Sequence, residues 1–441
     1  MANVLLINLA IIKFYDKSEI MKETYNPPLG LLYMASTLTN SGHTVKIIDY
    51  INVKYSKMEI LKEIEAFNPI ILGISVYTEN IEEAFKLSRS IKRKLPYIKI
   101  VLGGPQASLE PQYCINNKNI DYVLKHEGES SMLELVEALE SKETMISLKD
   151  ITGIVYYDES GTLIENKKRK DINDLDLLPF PLRRSDEITQ YGNIVNLITS
   201  RGCPGKCVYC AATALSGAKY RVRSVENTLL EIMYIKAIFK EHLKVIYILD
   251  DTFTGIPERV FEFLKLKKKL KADFLWRCES RVDVVTEEMV DKLAESQCIG
   301  IAFGVESGSQ DVLNQIHKNI DLNTVVNVVD ILYKHKIYVS LNFMLGHFCD
   351  TVETMNSTYD FIKKMYDAYR VGIFVTYNTP FPGTWQATHM EKIGLKLQLT
   401  NYSEYSAHSP SVSGRNFTIS DQVKVYQKIL PIIMNNDFGI R

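Results

Sequence analysis

Short apolar runs alternate with amphipathic segments along the first 140 residues. The runs fall at 4–9, 44–49, 70–76, 98–103 and 122–124; between them, apolar positions recur at helical spacing over 29–41, 57–67, 80–94 and 130–141. Brief apolar runs separated by helix-length segments predict a parallel sheet wound with helices on both faces. The rhythm breaks over 142–190. There Ile154-Val155-Tyr156-Tyr157, the turn Asp158-Glu159-Ser160-Gly161 and Thr162-Leu163-Ile164 spell a β-hairpin. The proline-punctuated stretch 177–182 (LLPFPL) predicts an extended linker. From about 192 the alternation restarts, with strands expected at 194–199, 245–249, 274–277, 299–304, 339–345 and 373–377. Helices are expected between them, at 225–239, 258–269, 286–296 and 324–335 among others. Six β/α units predict a partial barrel with an open side, whose chemistry sits on the loops after the strands' C-terminal ends. The expected organisation is an α/β chain. A doubly wound, Rossmann-like domain spans 1–141, a hairpin and linker 142–190, a partial (β/α)6 barrel 191–395, and a tail with a helix over 420–434 fills 396–441.

Composition changes this picture little. The 441 residues are too many for one ordinary domain. A net charge of -1 gives no electrostatic reason to expect nucleic acid. The first eight residues lack a basic region and read as a strand rather than a signal peptide. No uncharged stretch approaches the roughly 18 residues that span a bilayer, so a cytoplasmic location is expected.

The cysteines change it most. Of seven, Cys203, Cys207 and Cys210 lie within eight residues, and the others stand alone. The segment Ser200-Arg201-Gly202-Cys203-Pro204-Gly205-Lys206-Cys207-Val208-Tyr209-Cys210 directly follows the first barrel strand. Three thiolates at C-x3-C-x2-C can each take a different iron of one cubane, leaving the fourth iron without a protein ligand. A zinc site is the alternative, but zinc would need a fourth ligand, and no other Cys or His occurs between 127 and 241.

Here the sequence resembles the radical S-adenosylmethionine (SAM) superfamily over about 190–385. The resemblance implies a [4Fe–4S] cluster on the three cysteines, with SAM chelated at the open iron and cleaved to a 5′-deoxyadenosyl radical. It implies that Tyr209 lies beside the adenine and that Asp250, Asp251 and Thr252, after the second strand, approach the methionine end. Glu279 and Arg281 after the third strand, Glu306 after the fourth and Asn342 on the fifth are further candidates to orient SAM. Leu345-Gly346-His347-Phe348-Cys349-Asp350-Thr351 departs from the Gly-x-Pro-Gly-Glu-Thr-like loop of relatives, so the fifth-strand correspondence stays open, with His347 or Cys349 as substrate-facing alternatives.

The N-terminal domain lacks a G-x-G-x-x-G dinucleotide fingerprint. It looks like the cobalamin-binding domain fused to one large branch of radical SAM enzymes. By that likeness the slot for cobalamin is lined by Pro28 and Gly30, by Ser75, Tyr77 and Thr78, by Gly103, Gly104 and Gln106, and by Glu127 and Gly128. The Asp-x-His-x-x-Gly ligand motif is missing, Gln106 stands in place of a common His, and His126 in place of a Gly. An empty scaffold domain is the alternative.

The resemblance implies a cobalamin-dependent methyltransferase acting on an unactivated carbon, or a phosphorus, of a small molecule, reduced by flavodoxin or ferredoxin. The same architecture also suits a non-methylating rearrangement, cyclisation or oxidation. A non-catalytic metal-binding scaffold is the remaining alternative.

Overall fold

A computed structural model describes residues 1–9, 26–50, 57–140, 146–185 and 192–435. The chain forms two compact units, Met1–Gly192 with Asn401–Glu404, and Asn193–Thr400 with Tyr405–Arg441. The expected boundaries at 141 and at 190–191 lie outside the described residues.

The first unit is built on one seven-stranded sheet in the order β2-β1-β3-β4-β5-β6-β7. Its strands are β1 (Asn3–Asn8), β2 (Thr44–Asp49), β3 (Ile71–Ser75), β4 (Lys99–Gly103), β5 (Tyr122–Leu124), β6 (Ile154–Tyr157) and β7 (Leu163–Glu165). β1 to β5 are parallel. The intervening helices include α1 (Leu29–Asn40), α2 (Lys57–Phe67), α3 (Ile81–Lys94), α4 (Pro105–Leu109), α5 (Pro111–Ile115) and α6 (Glu129–Glu140). Alternation along β1 explains the two layers. Leu5 and Ile7 pack with Ile60, Ile64, Ile81 and Ile91 on one face. Val4 and Leu6 pack with Leu31, Leu38 and Leu135 on the other. Each such buried aliphatic side chain contributes about 1.5–3 kcal/mol. Because β1 is flanked by β2 and β3, the chain reverses direction across the sheet at that pair, where doubly wound folds open their ligand crevice. The expected hairpin forms and extends this sheet, since β6 pairs antiparallel with the free edge of β5 and β7 pairs antiparallel with β6.

The second unit carries six parallel strands in the order β15-β14-β13-β12-β11-β8. These are β8 (Ile194–Leu197), β11 (Val245–Ile248), β12 (Leu275–Ser280), β13 (Cys298–Glu306), β14 (Tyr338–Leu345) and β15 (Gly372–Tyr377). Among the described residues β8 and β15 do not pair, so the barrel is open. Helices α7 (Ala211–Ser216), α8 (Val225–Phe239), α9 (Pro257–Lys269), α10 (Glu287–Glu295), α11 (Gln310–Gln315), α12 (Leu322–Lys334) and α13 (Val352–Tyr369) follow in chain order. Trp276 of β12 is fully buried against Phe253 and Phe263 with edge-on rings, which fixes the strand's outer face on α9. The run expected at 194–199 breaks after Leu197; β9 (Ser200–Arg201) leaves the sheet to pair antiparallel with β10 (Arg221–Val222). The helix Ile419–Met434 packs along α13, so the expected tail belongs to this unit except at 401–404. Among the described residues no helix is long and apolar enough to cross a membrane.

Candidate active site and cofactor cradle

The cysteine loop is held from below and behind. Asp250, fully buried after β11, accepts from the backbone N–H of Thr199 at 2.6 Å and of Ser200 at 3.1 Å, and from the Thr199 hydroxyl. Burial pushes the Asp250 carboxyl up and these bonds pull it back down. Gly202 then turns the chain at φ +85, where a side chain would strike the Lys219 carbonyl. Behind the loop runs the segment after α11: Val208 N–H donates to Ile316 O at 3.2 Å, and the Cys207 thiol points at His317 O at 3.6 Å. Arg281 reaches Lys318 O at 3.2 Å while chelating the Asp283 carboxylate at 3.0 and 2.9 Å.

Cys207 is buried, and Cys203 and Cys210 are half-buried. Burial raises the Cys203 and Cys210 thiols, whereas amide donors oppose it: Gly205 N–H at 3.4 Å from Cys203 Sγ, and the Ala212 and Thr213 amides of α7 for Cys210. Such donors favour thiolate. Among the described residues no three His, Cys, Asp or Glu side chains converge on a single-ion site. Three thiolates at this spacing can each take a separate iron of a cubane.

Polar side chains line one face of the strands behind this loop. Arg277 and Glu279 alternate along β12 with Trp276, Cys278 and Ser280. Tyr247 of β11 donates to Glu279 at 2.8 Å, and Arg277 lies 4.0 Å over the Tyr247 ring. Burial raises the Glu279 carboxyl. Asp251 is exposed, yet its carboxyl end is crowded, and burial and then Asp250 raise it. The Thr252 hydroxyl is buried without a partner, and its carbonyl accepts from Tyr220 at 2.7 Å. Glu306 pairs with buried Lys318 at 3.2 Å and has φ +76, a strained conformation that costs about 1–3 kcal/mol. A Cβ at Gly304 would push the Glu306 carboxylate aside. Glu279 and Glu306 sit inside their strands rather than after them, since β12 and β13 run longer than the apolar pattern. Asn342 lies on β14 in register with Gly304. Tyr209 meets the buried His347 ring at 5.3 Å.

In the first unit the candidates gather where β3 and β4 end. Ser75 closes β3 and Gly103 closes β4, and Val76 N–H donates to Gly103 O at 2.8 Å. Gly104, at φ +96, approaches so closely that a Cβ would lie 2.9 Å from Val76 O and 3.1 Å from Ser75 Oγ. Tyr77 N–H bonds the Asn80 side chain, opening a single turn over Thr78–Asn80. The Thr78 hydroxyl donates to Gln106 Oε1 at 2.8 Å, while Gln106 Nε2 is buried with no partner. Pro28 caps α1 through its carbonyl, and Gly30 faces open space. After β5, Glu127 accepts from Ile172 N–H at 2.8 Å, and a Cβ on Gly128 would lie 3.1 Å from Met34. His126 holds φ +60, a conformation natural to glycine.

The comparisons decide the family. A Radical SAM superfamily model matches residues 197–362, and a B12 binding domain model matches residues 23–136. An uncharacterized methyltransferase of Pyrococcus horikoshii is 30% identical over 415 residues, covering 92% of this chain and 87% of that protein. This chain belongs to the radical SAM enzymes that carry a B12-binding domain. Two solved structures share the fold of this B12-binding radical SAM enzyme. One is the methyltransferase TsrM from Kitasatospora setae with cobalamin and a [4Fe–4S] cluster bound: TM-score 0.76, 16% identity, 99% of this chain and 92% of that chain. The other is the cobalamin-dependent SAM radical enzyme OxsB with aqua-cobalamin and SAM bound: TM-score 0.70, 22% identity, 89% of this chain and 55% of that chain.

The cofactors of this radical SAM enzyme are therefore SAM, a [4Fe–4S] cluster and cobalamin. The residues present fit all three. Three free thiols on one loop at C-x3-C-x2-C fit a cubane, and the orphaned Thr252 and His347 atoms fit a polar ligand beside it. The side-chain-free surface at Gly103 and Gly104 and the orphaned Gln106 donor fit a bulky ligand pressed on backbone. Sequence reasoning missed Tyr247, Arg277 and Lys318. The alternation Trp-Arg-Cys-Glu-Ser could have revealed the polar face of β12 and with it Arg277; nothing local marks Lys318.

Proposed function

We propose that the enzyme transfers a methyl group from SAM to an unactivated carbon, or to a phosphorus, of a small-molecule substrate. When bound, the cluster with SAM supplies a hydrogen-abstracting radical, and cobalamin supplies a methyl carrier. Each methyl transferred consumes two SAM and two electrons from a flavodoxin- or ferredoxin-type donor, releasing S-adenosylhomocysteine, 5′-deoxyadenosine and methionine. The observation that carries the reading is the C-x3-C-x2-C loop after β8, whose three thiols can each take one iron of a cubane and leave the fourth open.

On this reading Cys203, Cys207 and Cys210 hold the cluster. Arg281 and Asp251, which both act electrostatically on Cys203, orient the charged methionyl end. Glu279, Glu306 and Asn342 complete the ligand-facing wall, and Asp250 braces the loop. Ser75, Tyr77, Thr78, Gly103, Gly104 and Gln106 seat cobalamin, with Pro28, Gly30, Glu127 and Gly128 at its edges. Two relatives described as methyltransferases support methyl transfer. The test is product analysis of anaerobically reconstituted, reduced enzyme. Both S-adenosylhomocysteine and 5′-deoxyadenosine are expected; 5′-deoxyadenosine alone would move the enzyme to the rearrangement and cyclisation class.

A further inference from the structure

Away from the cysteine loop, the barrel unit holds a pocket of about 640 Å³ between the C-terminal ends of α9 and α10. The turns leading into β12 and β13 line it, so it lies at the N-terminal end of the sheet. The cysteine loop follows β8 at the opposite end, one six-residue strand or roughly 20 Å away. Five lysines line the pocket: Lys265, Lys267, Lys268, Lys271 and Lys292. Lys268 lies 3.6 Å from Glu295, and Lys292 donates to Glu288. Lys265, Lys267 and Lys271 form no ion pair among the described residues. Lys267 stands out, because it is buried. Its Nζ donates to Gln297 Oε1 at 2.9 Å and lies 4.3 Å over the Phe274 ring. Asp273 accepts from Gln297 Nε2 at 2.7 Å, so a neutral amide stands between that carboxylate and the ammonium. A buried cation is ordinarily paired with an anion.

The helix dipoles do not account for these charges. Two helix C-termini together present about one negative charge, which Lys269 at the end of α9 offsets. With Lys268 and Lys292 matched by Glu295 and Glu288, the lysines left over are Lys265, Lys267 and Lys271. They face the single remaining lining carboxylate, Asp273, which leaves an excess of about two positive charges. A phosphate monoester carries about −1.5 to −2 at neutral pH, and lysine meets phosphate as a point charge. Phe261, Leu264 and Ala272 add an apolar wall, and the volume is that of a small-molecule site. We propose that this pocket binds a phosphate monoester with an apolar or aromatic body: Lys267 takes the phosphate, Lys265 and Lys271 close over it, and the body lies on Phe261 and Leu264. Such a ligand sits too far from the cysteine loop to be the substrate. The inference is independent of the methyl-transfer reading.

The test is anaerobic calorimetric titration of the reconstituted holoenzyme with phenyl phosphate, inorganic phosphate and phenol. Phenyl phosphate is expected to bind, inorganic phosphate at least tenfold more weakly for want of the apolar body, and phenol not at all. Lys267→Met keeps the stem and removes the charge. It is expected to weaken phenyl phosphate at least tenfold, with iron content and reductive SAM cleavage unchanged. Lys265→Ala combined with Lys271→Ala alters only exposed side chains and guards against a Met variant that fails to fold; about fivefold weaker binding is expected. Vesicles of phosphatidic acid in phosphatidylcholine separate the sources of the phosphate. A free ester predicts no co-sedimentation, and co-sedimentation lost in the same variants would keep the site and assign its phosphate to a lipid head group. Equal binding of phenyl phosphate by wild type and Lys267→Met, or no binding in wild type, overturns the proposal and leaves Lys267 to Gln297 and the end of α9.

Discussion

The two sites in this chain are built by opposite means. In the barrel unit, chemistry is carried by side chains: three thiols, the Arg281–Asp283 and Lys318–Glu306 pairs, and the Tyr247–Glu279 bond. In the N-terminal unit it is carried by their absence. Gly103 and Gly104 end and follow a strand so that backbone, rather than side chain, forms the surface. A site that activates a small charged cofactor needs placed charges, whereas a site that seats a large one needs removed bulk. The two should fail differently when mutated.

The largest contrast is expected from Cys207→Ala. Iron content and 5′-deoxyadenosine formation should fall below detection, while cobalamin uptake, followed by its visible spectrum, stays at the wild-type level. The mirror experiment is Gly104→Val. A β-branched residue at φ +96 with its Cβ 2.9 Å from Val76 O is strained and intrudes on the crevice. Cobalamin affinity should drop about 100-fold, with the first unit losing roughly 2–4 kcal/mol by denaturant titration, while iron loading is untouched.

A smaller effect separates bracing from ligand contact. Asp250→Ala removes the acceptor of the Thr199 and Ser200 amides. It should cost the barrel unit about 2–4 kcal/mol, since buried donors lose their partner, and should lower iron loading in proportion. Normal stability with poor SAM affinity would instead place Asp250 at the cofactor. The smallest effect concerns Glu279, whose folded-state pKa burial raises. A raised carboxyl favours the protonated native form, so its contribution to stability is full below the unfolded value of about 4.3 and is lost as pH rises through the folded value. Glu279→Gln should therefore raise the melting temperature by about 2–4 °C at pH 8, and the gain should vanish near pH 4. Activity should fall in the same variant.

How much of this was legible in the chain depends on distance along it. The strand and helix rhythm was readable because burial imposes local periods: 225–239 was expected as a helix and Val225–Phe239 forms one. The C-x3-C-x2-C loop was readable because its ligands are neighbours in sequence. Its backing was not. Ile316, His317 and Lys318 meet the loop only because the short helix Gln310–Gln315 ends there, and His317 takes φ +57 to do so. The Tyr247–Glu279 bond needs the β11–β12 register, in which Tyr247 pairs with Arg277. Asp250 shows the same limit: its sequence neighbours Asp251 and Thr252 face differently, and only the fold turns its carboxylate under Thr199. His126 is the converse case, where φ +60 accounts for the glycine expected at that position from the resemblance.

The most direct test is EPR of the reduced, reconstituted enzyme with SAM labelled with 15N and 17O at its methionyl amine and carboxylate. The expected result is about four irons per chain, a signal that changes on adding SAM, and hyperfine coupling from both labelled atoms to one cluster iron. A signal indifferent to SAM, or a chain that carries zinc in place of iron, would contradict an open metal corner on Cys203, Cys207 and Cys210.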